Sequence, residues 1–170
     1  MLTNMSEIMS KKISVLDISI DNFTAKEAMQ EALAYMESDL VSVIELVTIE
    51  SLMELGTEAE LKEEIENFDL ILAGNKTILE AAEITDHKCL RETQDKTFLK
   101  YYRGTQIVGM AKVSAKNRAD DMLINAINGE EVDCVLSALS SPLQEELISK
   151  NRNVMNARVW LGLGKDGIPV

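Results

Sequence analysis

The chain has 170 residues, 46% of them apolar, with 17 Lys/Arg against 29 Asp/Glu, one His, two Cys, two Pro and 4% aromatics. That length fits one domain able to bury roughly 70% of its unfolded surface, and the apolar content rules out disorder. A formal net charge of −12 argues against a nucleic-acid partner, and no apolar run approaches the roughly 20 residues needed to cross a bilayer.

The opening MLTNMSEIMS has neither a cationic start nor an apolar core, so no signal peptide is read there and a cytoplasmic location is expected. Residues 1–11 are read as a lead-in segment and residues 12–170 as a single α/β domain. Cys89 and Cys134 form no disulfide framework or metal motif and are read as reduced, packed thiols. Charge is uneven: residues 1–104 hold 10 Lys/Arg and 21 Asp/Glu, residues 105–170 hold 7 and 8. A small anion would meet less repulsion in the second part.

The β-branched run ISVLDISI, Ile13–Ile20, predicts one or two short strands bounded by the turn pair Asp21-Asn22. Thr24 and Glu27 form a capping box that opens a helix with Ala25, Ala28, Met29, Ala32, Leu33 and Met36 as its apolar stripe. VSVIELVT, Val41–Thr48, is the next strand; its lone charge, Glu45, marks an edge, a strand end or a polar pocket. Ile49–Gly56 reads as a short helix closed by Gly56. A second capping box, Thr57 with Glu60, leads into a helix carrying Leu61, Ile65 and Phe68. FDLILA, Phe68–Ala73, has the continuous apolar character of a strand buried on both faces, broken by Gly74-Asn75.

Thr77–Ile84 looks helical, residues 85–95 read as a loop, and Lys96–Tyr102 as a short helix ended by Gly104. Thr105–Val113 is a strand. Ala119, Met122, Leu123, Ala126 and Ile127 make a helical stripe ended by Gly129. Val132–Leu139 is another buried strand, and Ser141-Pro142 starts a helix with Pro at its first position. Arg158–Leu163 is the last strand. Strands alternating with helices specify βαβ units, hence an α/β, Rossmann-like fold with a largely parallel sheet and helices on both faces. Ligands in such sheets sit beyond the carboxyl ends of the strands.

The loops there exclude several chemistries. Gly162-Leu163-Gly164-Lys165 lacks the first glycine and the hydroxyl residue of a phosphate loop. Ser137, Ser140 and Ser141 have no base near them in sequence, His87 lying in a distant polar loop. No ligand cluster supports a metal, and no cofactor is expected. What remains is Ser140-Ser141-Pro142, leading into a helix whose free amides suit an anion such as a diphosphate, with Gln144 and Glu145 in its first turn.

The stretch VDCVLSALSSPLQEELISKNRN followed by ARVWLGLG resembles the signature of the WecG/TagA/CpsF glycosyltransferases, in which a strand runs into a Gly-x-Gly-x-Pro-Lys-Gln-Glu loop and a helix ending in Asn-Arg. Pro142, Gln144, Glu145, Asn151, Arg152, Gly162 and Gly164 match. IDNFTAKEAM, VTIESLMEL with Glu50, and NFDLILAGNKTIL resemble the family's earlier segments in its order. The resemblance implies transfer of N-acetylmannosamine or a related sugar from UDP to a lipid-linked, cell-envelope acceptor.

The departures fall on the chemistry the resemblance implies. The family's proposed catalytic Asp corresponds to Gly74, and the following Gly to Asn75. Its Val-Asn-Pro Asn becomes Thr48, its paired loop glycines Ala138 and Ser140, and its Lys Leu143. One strand–helix unit is absent between Ile84 and Gln106, and the chain ends before the family's membrane-contacting appendage. Losing a general base costs about 10²–10⁴ in rate. The expectation is therefore a sugar-nucleotide-binding edge at Thr48, Glu50, Gly74, Asn75, Ser140, Gln144 and Glu145, with no catalytic residue assigned. The protein would bind a UDP-sugar weakly and act as a binding or partner protein, with itself or an active relative. The alternatives are an active glycosyltransferase whose base has moved to Glu45, Glu50 or Asp21, and a pure interaction protein in which Ser140–Glu145 is only a capped helix start.

Overall fold

The computed structural model describes residues 12–23, 25–57, 59–74, 78, 113 and 119–164. The lead-in 1–11, the box at Thr24, the elements expected over 77–112, Asn75, His87 and Cys89 lie outside the described residues or almost wholly so.

The first of the described elements is an antiparallel hairpin of β1 (Lys12–Val15) and β2 (Ile18–Asp21), with Val15 paired to Ile18. The reversal falls at Leu16-Asp17, inside the run read as one or two strands, and β2 ends at Asp21, where the turn pair Asp21-Asn22 was expected to bound it. Both turn residues have positive φ, 50° and 64°. That is the mirror-image two-residue turn whose twist matches the strands, made here without the usual Asn or Gly. Ile13, Val15, Ile18 and Ile20 turn inward.

Among the described residues four strands then make one all-parallel sheet: β3 (Ser42–Val47), β4 (Leu70–Ala73), β5 (Cys134–Ser137) and β6 (Val159–Gly162), in the order β4-β3-β6-β5. The α/β, Rossmann-like expectation holds. Alternation along β3 sends Ile44 and Leu46 to one face and Val43 and Val47 to the other. The helix α1 (Ala25–Tyr35) covers the first face with Ala28, Met29 and Ala32. The second face is covered by α2 (Ile49–Gly56), α3 (Ala59–Glu66), α4 (Asp120–Gly129) and α5 (Leu143–Asn151), through Leu52, Leu55, Leu61, Ile65, Ile124, Ile127, Leu147 and Ile148. The hairpin adds its four apolar side chains to this core.

Three local expectations shift. Leu33 and Met122, placed on apolar stripes, are exposed; α4 buries Ile124 beside the expected Ile127. Thr57 closes α2, its hydroxyl donating to the Glu54 carbonyl, and the capping box sits one helix earlier, where Thr48 and Ser51 exchange side-chain bonds with each other's amides. Pro142 is the N-cap of α5 rather than its first helical residue, and the Ser141-Pro142 peptide is cis.

At the amino-terminal edge, Arg152 ties the strands together. It donates to the Val41 and Asn67 carbonyls and, at 2.7 Å, to Asp69 Oδ2, which also accepts the Val43 N–H. The preceding Asn151 donates to Asp120 and to the Leu147 carbonyl, joining α5 to α4.

Candidate functional site

The carboxyl-terminal edge is organised by one register row. Ile71, Glu45, Gly162 and Ser137 lie side by side across β4, β3, β6 and β5. Strand order reverses beside β3, so the crevice where α/β sheets take ligands opens at β3 and β6. Here Gln144 lies across it. Its amide nitrogen donates to Glu45 Oε1 at 3.1 Å, its carbonyl accepts a short bond from the Ser137 hydroxyl, and the chain between passes over Gly162. A Cβ at Gly162 would stand 2.0 Å from Gln144 Nε2, so the bare backbone is what admits the glutamine.

Glu145 follows in the same turn. It is wholly buried and accepts the Ser141 hydroxyl at 2.6 Å through Oε1. Glu45 is 3% exposed. Burial holds its carboxyl well above the usual range, and the Glu145 charge and a hydrogen bond to Glu145 push the same way; the Gln144 amide opposes them. Gln144 and Glu145 thus face into the protein, where the sequence placed them on a sugar-nucleotide-binding edge.

The other expected residues line the rim. Thr48 caps α2, with its hydroxyl accepting from the Ser51 amide. Glu50 is exposed in the first turn of that helix. Gly74 ends β4, its N–H donating to the Val47 carbonyl at 2.8 Å. A Cβ on Gly74 would come within 2.9 Å of that oxygen, so the two backbones meet without room for a side chain. Ser140 is exposed beyond β5. Three strand spacings of about 4.8 Å separate the β4 and β5 ends, so the rim from Gly74 to Ser140 is about 14 Å wide. Asn75 lies outside the described residues.

Asp21, a candidate replacement base, serves the fold. Its Oδ2 accepts the Ile71 N–H at 2.9 Å, and burial raises its carboxyl although that bond and Lys12 oppose the rise. Asn151 and Arg152, which matched the resemblance, sit at the opposite edge and hold the scaffold. Sequence reasoning missed Ser137, Ser141 and Gly162 as parts of the carboxyl-edge network. A glycine ending a buried-type strand was the available signal for the last.

Among the described residues no group of three or more His, Cys, Asp or Glu side chains is placed to hold a metal, and no helix is long and apolar enough to cross a membrane. No curated protein matches the chain. Residues 86–165 match the Glycosyl transferase WecG/TagA/CpsF family, a stretch that takes in the β5–α5 turn, Asn151-Arg152 and β6; the segments around Glu50 and Gly74 that also resemble the family lie outside it.

Proposed function

We propose that this chain is a divergent relative of those glycosyltransferases, keeping a UDP-sugar-binding edge while transferring sugar weakly or not at all, and acting as a binding or partner protein in the cytoplasm. The edge would run over Thr48, Glu50, Gly74, Asn75 and Ser140, with Gln144 and Glu145 fixing it from beneath. The observation that carries the reading is Gly74: a position implied to hold a carboxylate has no side chain and no space for one beside Val47. The nearest alternative carboxylates support it too. Glu45 is sealed under Gln144, and Asp21 is bonded to the β4 backbone.

The test joins binding to turnover. UDP or UDP-N-acetylmannosamine at about 100 times its dissociation constant should stabilise the protein by about 2.7 kcal/mol. Transfer to a lipid-linked acceptor should stay near background. Turnover at an enzyme-like rate refutes the loss of activity, and the absence of any stabilisation at millimolar ligand refutes the binding edge. Exposure of Glu50 favours one second reading, a relocated base: if transfer is found and Glu50→Gln abolishes it, that carboxylate is the base.

A further inference from the structure

The carboxyl-edge network contains an imbalance that its visible donors do not resolve. Gln144 Nε2 serves Glu45 Oε1, and the Ser141 hydroxyl serves Glu145 Oε1. The second oxygens, Glu45 Oε2 and Glu145 Oε2, are both buried and neither has a hydrogen-bond partner. Gln144 binds Glu45 and Glu145 is the next residue, so both buried carboxyl groups meet at one turn, where Glu145 acts on the Glu45 carboxyl. Two carboxylates with no cation between them repel, and each buried oxygen lacking a donor is costly. One proton placed between the two oxygens satisfies both and removes one charge.

We propose that Glu45 and Glu145 share a single proton across the junction of β3 and α5, and that this proton latches the amino-terminal turn of α5 onto the sheet. With it, Glu145 is held against β3 and Gln144 stays across the crevice. Without it, two buried negative charges face each other and the turn around residues 140–145 is driven outward, uncovering the crevice at β3 and β6.

The surroundings leave no other group to neutralise the pair among the described residues. In register with Glu45 stand Ile71 on β4 and Gly162 on β6, with Ser137 beyond on β5. On the same face α2 and α3 contribute Leu52, Leu55, Leu61 and Ile65 to the core, while Glu50 and Glu54 of α2 and Glu60, Glu63 and Glu64 of α3 are exposed. Lys62 turns to Asp17 on the hairpin. On α4, Ile124 and Ile127 point inward, Asp120 lies by Asn151 and Asp121 is exposed. On α5 itself Glu146 is half-buried one residue beyond the pair, and Lys150 is exposed at the far end.

The sign of the pH dependence follows. A carboxyl raised in the folded state binds its proton more tightly folded than unfolded. Its contribution is complete below the ordinary glutamate value and is lost as pH rises through the raised one. Loss of one proton makes opening more favourable by up to about tenfold per pH unit in that window.

Hydrogen exchange of the amides around Gln144–Glu146 in the full chain, corrected for intrinsic rates, reads this opening from pH 5 upward. Protection should fall with pH in the wild-type protein. It should stay level in Glu45→Gln and Glu145→Gln, where an amide hydrogen replaces the proton. Infrared spectra of the wild-type protein at pH 7 supply a reading independent of how the variants fold: a protonated carboxyl band should be present, and lost in each folded variant. Absence of that band, or equal pH slopes in wild type and variants, overturns the proposal.

Discussion

The two edges of the sheet solve opposite electrostatic problems. At the amino-terminal edge a full charge meets a full charge: Arg152 and Asp69 contact at 2.7 Å with side chains 27% and 30% exposed, and the spare donors take main-chain carbonyls. At the carboxyl-terminal edge two carboxyl groups are buried together with only neutral donors around them. The first arrangement is built to stay in one state. The second is sensitive to the loss of a single proton. A parallel sheet allows this division, because its loops at one end hold the chain and those at the other are free to specialise.

The sharpest way to break the comparison is Gly162→Ala. The added methyl occupies the space of the Gln144 amide, so Glu45, Ser137 and Gln144 lose partners together while buried. At about 1–3 kcal/mol for each unsatisfied group, a loss of about 4 kcal/mol is expected in urea unfolding followed by Trp160, the single tryptophan, two residues away. A loss under about 1 kcal/mol would mean the glutamine is not fixed there.

Arg152→Ala attacks the other edge. Removing charge-assisted bonds to Asp69 and to two carbonyls should cost about 2 kcal/mol, less in high salt because the pair is partly exposed. The Gly162→Ala loss should be nearly independent of salt, and that contrast tests whether the two edges differ in kind.

Gly74→Ala comes next. Its methyl meets a main-chain oxygen, which yields less readily than a side chain, so about 1–2 kcal/mol should be lost in the same unfolding assay. Leu16→Asn is the smallest change and has the opposite sign. Leu16 is 52% exposed and held at positive φ, a conformation asparagine adopts more cheaply, so a gain of about 0.5–1 kcal/mol in thermal unfolding is expected.

The fold was legible because its signals are local and repeated. FDLILA read as a buried strand and VSVIELVT as a strand from composition alone, and the helices between them from spacing. The helix faces were less secure: a stripe holding Leu33 or Met122 differs from the true one by a single residue's rotation, about 100°. The site was legible only in part. Glu45 stood out as a charge inside an apolar strand, and Gln144-Glu145 stood out after Ser-Pro. That they meet depends on β6 inserting between β3 and β5, a long-range fact no local pattern carries. The direction of Gln144 depends on the missing side chain of Gly162, 18 positions later.

The close passage of Gly74 beside Val47 bears on how such a protein could change course. A codon change at 74 alone would set an acidic side chain against a main-chain oxygen, so selection would meet damage before any benefit. Placing a carboxylate at that point calls for a prior shift of the 46–48 segment. Laboratory evolution toward transfer should therefore accumulate its first substitutions around Val47, or recruit a new acid from the exposed start of α2.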